Sequence, residues 1–430
     1  MKTMILSICL GLSLAALSAP KAVIRADHAD CLYRCGEKAV FTVSILDGEA
    51  LVPTGTVGVV VDNYGPNRQL ERKFDLAKGN PFVVSATMSV PGFARLQVLD
   101  AKGKGVSGGR YGAGFDVEKI RPTTPDPKDF DSYWSREKAR LDREVPLDPT
   151  CTKDEKMSNG VRTIYRVSFA TFGGKRVYGF LSVPVKPGKY PVRVHVPGYG
   201  PWTIFSECAP RDAIGLHMNV HLFEPPETQG EMNRLCKEAD AARQAKTGCG
   251  YLPVSGMDVS REEYFYHDVM LGINRAVDWA CARPDADPSS LTYRGMSQGG
   301  AFGLYLAYLN GRFTRLEVAV TALTDMFGFT VGRQSGWPQP MDSAKDPASR
   351  ERRAAVAPYF DGVNFARRIK VPTMFVVGFA DNTCAPHNVY AAYNVMPARE
   401  KRIFNAVGEG HMADTKPAAQ KAVTAWFAGN

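Results

Sequence analysis

The stretch of sequence that decides the fold is Gly295-Met296-Ser297-Gln298-Gly299-Gly300. It follows a short run at residues 291–294 that is typical of a strand, and it precedes an apolar run at residues 301–309 that is typical of a helix. A strand, a G-x-S-x-G motif and a helix in this order predict a nucleophile elbow, a tight turn from which the serine hydroxyl projects. Its glycines are needed because the strand and the helix leave no room for a Cβ. The stretch therefore predicts a serine hydrolase with Ser297 as nucleophile.

The same pattern occurs a second time, at residues 105–109, where it centres on Ser107. This copy lies among short β-type runs and glycine-rich turns, and no helix pattern follows it. We therefore expect Ser107 to be a loop residue without a catalytic role, because the context of the motif and not the motif alone carries the prediction.

A serine hydroxyl needs two further groups, namely a histidine that takes its proton and a carboxylate that orients the histidine. In α/β-hydrolases the acid follows the serine in the chain, and the histidine follows the acid. Asp381 comes just after a predicted strand at residues 373–377, and His411 comes just after the last predicted strand, at residues 402–405. These positions predict Asp381 as the acid and His411 as the base.

Other residues compete for these two roles. His387 is the other histidine downstream of the serine; it stands at the start of a helix pattern and is predicted to be structural. Asp325, which follows the strand after the elbow, is the alternative acid. Asp414 lies three residues from His411 and is expected to hydrogen-bond the local backbone instead.

The negative oxygen that develops during hydrolysis needs two backbone N–H donors. One is predicted at Gln298, which follows the nucleophile at the N-terminus of a helix, where the helix dipole also stabilises negative charge. The other is predicted at Tyr199, in a loop after an early strand where Gly198 and Gly200 free the backbone. An ordinary glycine turn is the alternative interpretation of this loop.

The chain divides into four parts by its sequence pattern. Residues 1–18 resemble a secretory signal peptide, which predicts export to the periplasm or the outside, with a buried N-terminal helix as the alternative. Residues 22–120 hold about seven short strand-like runs and predict an immunoglobulin-like all-β sandwich. A proline-rich linker at residues 121–128 leads to residues 129–430, where strands and helices alternate as in a mainly parallel sheet. The predicted fold class is α/β, an α/β-hydrolase domain preceded by a small all-β domain.

Residues 203–262 are rich in Glu, Gly and Pro and are predicted to form an irregular insertion over the active-site face. Export would permit disulfides among the cysteines beyond the signal peptide, but spacing leaves their connectivity open. The closeness of Cys31 and Cys35 favours a local bridge between them. Zinc-type spacings of cysteine and histidine are missing from the sequence, so neither a metal nor another cofactor is predicted.

The composition has 44% hydrophobic and 23% charged residues, with a formal net charge of +9. These proportions are ordinary for a globular protein. The basic residues are scattered along the chain, which argues against a nucleic-acid partner. Beyond the N-terminal segment, apolar stretches are too short to predict a membrane span.

These features together resemble the acetyl xylan esterase/cephalosporin C deacetylase family of carbohydrate esterases, in the α/β-hydrolase superfamily. The matching motifs are the opening helix at residues 129–134, the oxyanion loop at 198–200, the elbow with its approach at 282–300 and the segment that carries the acid at 381–386. The resemblance implies a serine esterase that removes O-acetyl groups from acetylated sugars, typically short xylo-oligosaccharides, through an acetyl-serine intermediate. It is also compatible with a homo-oligomer, because the family often buries its active sites in a closed ring.

Three departures from the family pattern bear on substrate preference and on assembly. Pro201 stands where the family has a glycine, so only Tyr199 can donate an N–H from that end of the loop. Met412 stands where the family has a glutamate after the histidine. The segment 203–262 is longer than its usual counterpart, and the N-terminal β region lies outside the family pattern.

Two other functions stay open on the sequence alone. A peptidase or a broad carboxylesterase could use the same fold, although oligopeptidase relatives usually carry a large propeller that residues 22–120 are too few to form. An inactive hydrolase domain joined to a polysaccharide-binding β domain is the other alternative, and the complete set of serine, acid and histidine argues against it.

Overall fold

The computed structural model describes residues 20–201 and 211–429, so the predicted signal peptide at residues 1–18 lies outside the described residues. The N-terminal region consists of short strands, as its sequence pattern predicted. These strands are β1 Lys21–Ala26, β2 Leu32–Tyr33, β3 Ala39–Asp47, β4 Ala50–Leu51, β5 Thr56–Asp62, β6 Arg68–Asp75, β7 Phe82–Ala86, β8 Gly92–Leu99 and β9 Gly105–Phe115.

The strands of this region pair in the order β4-β3-β1-β9-β8-β5-β6, with β7 beside β3 and β2 beside β9. Pairing is antiparallel for most neighbours, and β1 meets β9 in parallel. Burial alternates along β3, where Phe41, Val43 and Ile45 are buried, as expected for strands with one face on a core. The immunoglobulin-like sandwich itself stays a prediction.

Two expectations for the N-terminal region are wrong. Ser107 does not lie in a loop but in β9, although it is exposed and is not followed by a helix. Gly108 allows β9 to lie close to β1, since a Cβ on Gly108 would overlap the carbonyl oxygen of Ala22. Cys31 and Cys35 are both free thiols, so the local bridge is absent from the structure.

The linker at residues 121–128 is held against the second region of the chain. The hydroxyl of Thr124 donates to the carboxylate of Asp361 at 2.6 Å, and both groups are buried. Helix α1, Phe130–Glu144, follows directly and buries Trp134 completely. The opening helix expected from the motif at residues 129–134 is confirmed.

The second region is built on a mixed sheet of nine strands. Their order is β10-β11-β12-β14-β13-β15-β16-β17-β18; from β14 to β18 in this order the strands run parallel to one another, whereas the pairs from β10 to β14 are antiparallel. The mainly parallel sheet is therefore confirmed. Its strands are β10 Thr150–Lys153, β11 Arg162–Ala170, β12 Arg176–Pro184, β13 Tyr190–His195, β14 Ile214–Met218, β15 Ala286–Met296, β16 Arg315–Ala319, β17 Thr373–Gly378 and β18 Lys401–Ala406.

Helices cover both faces of this sheet. Met374 and Val376 of β17 share a core with Trp426 on one face, whereas Phe375 contacts Tyr393 on the other, with ring centroids 5.6 Å apart. No helix within the described residues is both long and apolar enough to cross a bilayer. The helices after α1 are α2 Gln229–Thr247, α3 Phe265–Cys281, α4 Gln298–Asn310, α5 Pro347–Val356, α6 Gly362–Ala366, α7 Pro386–Val395 and α8 Pro417–Phe427.

The described part of the segment 203–262 is more regular than predicted. It contains β14, which lies inside the sheet between β12 and β13, and the long helix α2. Strand β14 is buried along its whole length, so it lacks the alternation that marks a half-buried strand. Thr228 caps the N-terminus of α2, because its hydroxyl accepts a hydrogen bond from the N–H of Glu231 at 3.2 Å. The expectation of an irregular insertion is therefore wrong for residues 211–262.

Candidate active site

Ser297 lies in a strained turn between β15 and α4. Its backbone has φ 56° and ψ −122°, a conformation that residues with a side chain rarely adopt. Its N–H donates to the carbonyl of Ala319 at 2.9 Å, and its carbonyl accepts from the N–H of Ala322 at 3.0 Å. These two bonds to the neighbouring chain hold the strained conformation in place.

The elbow has no space for side chains on its glycines. A Cβ on Gly299 would overlap the carbonyl oxygen of Val196, and one on Gly295 would lie 2.8 Å from the carbonyl oxygen of Gly299. Real Cβ atoms do not approach other atoms so closely, so each substitution would force the strand, the helix or the oxyanion loop apart. The steric reason for the G-x-S-x-G pattern is therefore confirmed.

His411 lies between Ser297 and Asp381. Its Nε2 is 3.0 Å from the Ser297 hydroxyl oxygen, and its Nδ1 is 2.8 Å from Asp381 Oδ2. Because a carboxylate only accepts, Nδ1 carries the proton of a neutral ring and Nε2 is left to accept from the serine hydroxyl. The arrangement can draw the proton from the serine while the carboxylate holds the ring in one orientation.

The carboxylate of Asp381 is completely buried and is fixed by its own loop. Its Oδ1 accepts from the backbone N–H groups of Thr383 at 2.8 Å and Cys384 at 3.0 Å. The N–H of Ala380 donates to the carbonyl of Glu409 at 2.8 Å, which joins this loop to the one that carries the histidine. Asp381 and His411 are therefore held by connected backbone, at the carboxyl ends of β17 and β18.

The loop after β13, where Tyr199 was predicted as an oxyanion donor, lies beside Ser297. A Cβ on Gly198 would lie 3.7 Å from the Cβ of Ser297. The side chain of Gln298 ties the start of α4 to this loop, because its Nε2 donates to the carbonyl of Pro197 at 3.2 Å and its Oε1 accepts from the Tyr266 hydroxyl. The sequence carries no local signal for this side-chain bridge, because Tyr266 lies 32 residues away on another helix.

A buried thiol that the sequence analysis left without a role lies at the site. Cys384 is buried beside Asp381, and burial together with the negative charge of Asp381 raises the pKa of this thiol well above its ordinary value. Ligand-type atoms of Asp381, Cys384 and His411 lie within 4.8 Å of one another, a separation that could hold a metal ion. Asp381 and His411 are close because they are bonded to each other, and Cys384 is close because its backbone N–H donates to the same carboxylate.

The competing residues serve other parts of the molecule. His387 is buried and bonded through Nε2 to the carbonyl of Gln334 at 2.8 Å, and burial lowers its pKa to about 3, so its ring is neutral and structural as predicted. The carboxylate of Asp325 accepts hydrogen bonds from the backbone N–H and the hydroxyl of Thr123 in the linker. Burial raises the pKa of Asp414, and its Oδ1 has no hydrogen-bond partner among the described residues, so the expected bond to the local backbone is not seen at this oxygen.

A mixed, mainly parallel sheet with helices on both faces, a serine on a strained elbow, and an acid and a histidine beyond two later strands define an α/β-hydrolase. A family model described as acetyl xylan esterase matches residues 115–427. The chain therefore belongs to the acetyl xylan esterase family and is a carboxylic-ester hydrolase.

A relative supports the same assignment over most of the chain. The acetyl esterase Axe7A of Xylanibacter ruminicola is 32% identical over 393 residues, covering 89% of this chain and 85% of that protein. Because residues 121–430 make up only 310 of the 430 residues, this match extends into the N-terminal β region.

Two solved structures share the fold. The acetyl xylan esterase of Paenibacillus sp. R4 matches with a TM-score of 0.55 at 21% identity, covering 73% of this chain and 98% of that one. Acetyl xylan esterase 1 of Thermoanaerobacterium sp. JW/SL YS485 matches with a TM-score of 0.57 at 19% identity, covering 72% and 96%. At these identities the likeness establishes the α/β architecture.

Proposed function

We propose that this protein is a secreted serine esterase that removes O-acetyl groups from acetylated sugars, such as acetyl xylan and its oligosaccharides. The observation that carries the proposal is the continuous chain of hydrogen bonds from Asp381 through His411 to Ser297. Membership of the acetyl xylan esterase family and the similarity to an acetyl esterase support the choice of substrate class.

In the first half of the reaction, Ser297 attacks the acetyl carbonyl carbon while His411 Nε2 takes the hydroxyl proton. The backbone N–H groups of Tyr199 and Gln298 stabilise the negative oxygen of the tetrahedral intermediate. When that intermediate collapses, the bond to the sugar oxygen breaks and His411 gives its proton to this oxygen. The sugar leaves as an alcohol, and the acetyl group stays on Ser297.

In the second half, His411 takes a proton from water as the water oxygen attacks the acetyl-serine. The same two N–H groups stabilise the second tetrahedral intermediate, and its collapse releases acetate and returns the proton to Ser297. Asp381 keeps its charge throughout, because it orients the imidazole and stabilises the imidazolium that forms in each half.

Aromatic side chains beside the oxyanion loop support a sugar as the alcohol part of the substrate. The ring of Tyr199 lies 5.3 Å from that of Trp337 and 5.7 Å from that of Tyr251, which is itself exposed. Aromatic rings of this kind combine an apolar face with a polar group, so they suit a ligand whose carbon face is apolar and whose edge is hydroxylated.

Export is the part of the proposal that rests on sequence alone. Lys2 and the short apolar run that follows it match the two regions of a secretory signal peptide. A substrate that is part of a plant polysaccharide lies outside the cell, which agrees with an exported enzyme.

The test is to measure acetate released from acetylated xylo-oligosaccharides, with aminopeptidase substrates and a fluorophosphonate probe alongside. We expect acetate release, no peptide cleavage and labelling at Ser297. Peptide cleavage without acetate release would replace the proposal by a peptidase. The absence of labelling would instead favour an inactive, polysaccharide-binding protein.

A further inference from the structure

The N-terminal β region contacts the short loop that carries Asp381. This loop, residues 379–382, follows β17 and is here called the acid loop. The carboxylate of Asp381 is bonded by backbone N–H groups just after it, so it moves with this backbone. Any group that fixes the acid loop therefore also fixes the carboxylate that orients His411.

Tyr64 contacts the acid loop on one side of Asp381. Its hydroxyl donates to the carbonyl of Phe379, 315 positions later in the chain, and both residues are buried. Tyr64 has φ 60°, a left-handed conformation, and its own N–H donates to the carboxylate of Asp62 at 2.9 Å. The tyrosine is therefore held rigidly at the end of β5 with its hydroxyl on the acid loop.

Arg95 contacts the acid loop on the other side of Asp381. Two of its nitrogens bond the buried carboxylate of Asp62 at 2.9 and 2.8 Å, and its third donates to the side-chain oxygen of Asn382 at 3.0 Å. Its guanidinium also lies over the ring of Tyr64, 4.7 Å from the ring centroid. The ion pair with Asp62 fixes the orientation of the planar guanidinium, so its remaining N–H donor is held towards Asn382.

Close packing reinforces these two bonds. The ring of Phe93 meets the ring of Phe379 edge to face with centroids 4.9 Å apart. Strand β9 approaches so closely that a Cβ on Gly112 would overlap the carbonyl oxygen of Phe379. The N-terminal region thus leaves the acid loop little freedom to shift away from the sheet.

We propose that Tyr64 and Arg95 are positioning residues for ester hydrolysis, so that the N-terminal β region completes the active site of the second region. The inference rests on the proposed role of Asp381 as the orienting acid. Sub-ångström placement decides the efficiency of a catalytic group, and a shift of the acid loop would turn the imidazole away from Ser297. Tyr64 and Arg95 act through the acid loop and do not touch the substrate.

The test compares Tyr64→Phe with Tyr33→Phe in the full-length protein. Each change removes one hydroxyl from a buried tyrosine of the N-terminal region, but the Tyr33 hydroxyl bonds Asp27 within that region, at 2.5 Å. We expect Tyr64→Phe to lower kcat for 4-nitrophenyl acetate about tenfold with KM unchanged, as for one lost positioning bond. The rate of inactivation by a fluorophosphonate should fall in parallel, and Tyr33→Phe should change neither rate.

A second variant, Asn382→Ala, removes the acceptor of Arg95 and should also lower kcat without raising KM. Equal loss of thermal stability in both tyrosine variants with unchanged kcat in Tyr64→Phe and Asn382→Ala would overturn the inference. Asp381→Asn, measured in parallel, separates this outcome from a failure of the proposed function. If Asp381→Asn kept full activity, the assignment of the acid would be wrong; if only Tyr64→Phe and Asn382→Ala kept it, the positioning role alone would fail.

Discussion

Asp325 Oδ1 accepts hydrogen bonds from both the backbone N–H and the hydroxyl of Thr123, at 2.6 and 2.7 Å. Asp325 follows β16, directly beside the elbow strand, where an α/β-hydrolase could also carry its acid. Its carboxylate is instead completely buried against the linker between the two regions, and it also pairs with Arg333. The two aspartates that competed for the role of the acid therefore do different work, one at the linker and one at His411.

This division predicts opposite phenotypes for Asp381→Asn and Asp325→Asn. The first replaces the charge that fixes the tautomer of His411, so kcat should fall by roughly 10⁴ while the thermal midpoint changes little. The second weakens the linker bonds and leaves Arg333 without its buried partner, so stability should fall by about 1–3 kcal/mol with kcat nearly unchanged. Thermal unfolding and steady-state hydrolysis of 4-nitrophenyl acetate measure both effects. The reverse pairing of phenotypes would assign the acid to Asp325.

The two copies of the G-x-S-x-G pattern provide a matched pair for the nucleophile. Ser297→Ala should abolish acetyl ester hydrolysis and fluorophosphonate labelling without altering the fold, since the side chain loses only its hydroxyl. Ser107→Ala should leave both unchanged, because Ser107 is an exposed residue of β9. Circular dichroism of both variants checks the fold. Activity that survives in Ser297→Ala would exclude Ser297 as the nucleophile.

Substitution of an elbow glycine should act by steric overlap, in contrast to Ser297→Ala, which removes a reactive hydroxyl. Gly299→Ala would place a methyl group on the carbonyl oxygen of Val196, so we expect loss of folded protein or of all activity. Gly230→Ala is the control, because Gly230 lies in the first turn of α2 and a Cβ added there would meet no atom within 4 Å. It should be neutral or stabilise the protein by less than about 1 kcal/mol. Yield of soluble protein and the thermal midpoint distinguish the two variants.

The local sequence pattern was sufficient to predict a helix or strand where the residues themselves carry a clear helix or strand pattern. The opening helix expected at residues 129–134 formed as α1, and the strands expected at residues 373–377 and 402–405 formed as β17 and β18. Strand β14 escaped prediction because both its faces are buried, so its residues do not alternate. Helix α2 escaped prediction because its sequence is mostly polar, and only Met232 within it is buried.

For the candidate site too, the sequence pattern predicts some residues and not others, and here the contacts between distant residues are the ones it does not predict. Ser297, Asp381 and His411 could be proposed because the chain order of the fold restricts where each can stand. The contacts of Tyr64 and Arg95 with the acid loop could not be predicted. About three hundred residues separate the partners, and the sequence around Tyr64, Arg95 or the acid loop has no motif that indicates a contact. The burial of Cys384 beside the carboxylate of Asp381 likewise depends on how the chain folds after β17.

A buried carboxylate beside the elbow strand predicts a pH-dependent stability. Glu317 in β16 is buried, and burial raises its pKa to about 7, against the opposing influence of Arg294, whose Nε donates to it at 3.2 Å. Because the folded state holds this proton above the pH at which the unfolded chain releases it, stability should fall as the pH rises from about 4.5 to 7.

Glu317→Gln removes that ionisation, so the variant should gain stability relative to the parent protein as the pH rises from 5 to 8. The shift of the pKa to about 7 sets the change between these two values of pH at roughly 3 kcal/mol at most. Denaturant unfolding at pH 5 and pH 8 measures it. Glu351→Gln, at an exposed position of α5, is the control and should show the same small difference at both values of pH. A difference between Glu317→Gln and the parent protein that does not change with pH would mean that Glu317 is already ionised at pH 5, with Arg294 dominating over burial.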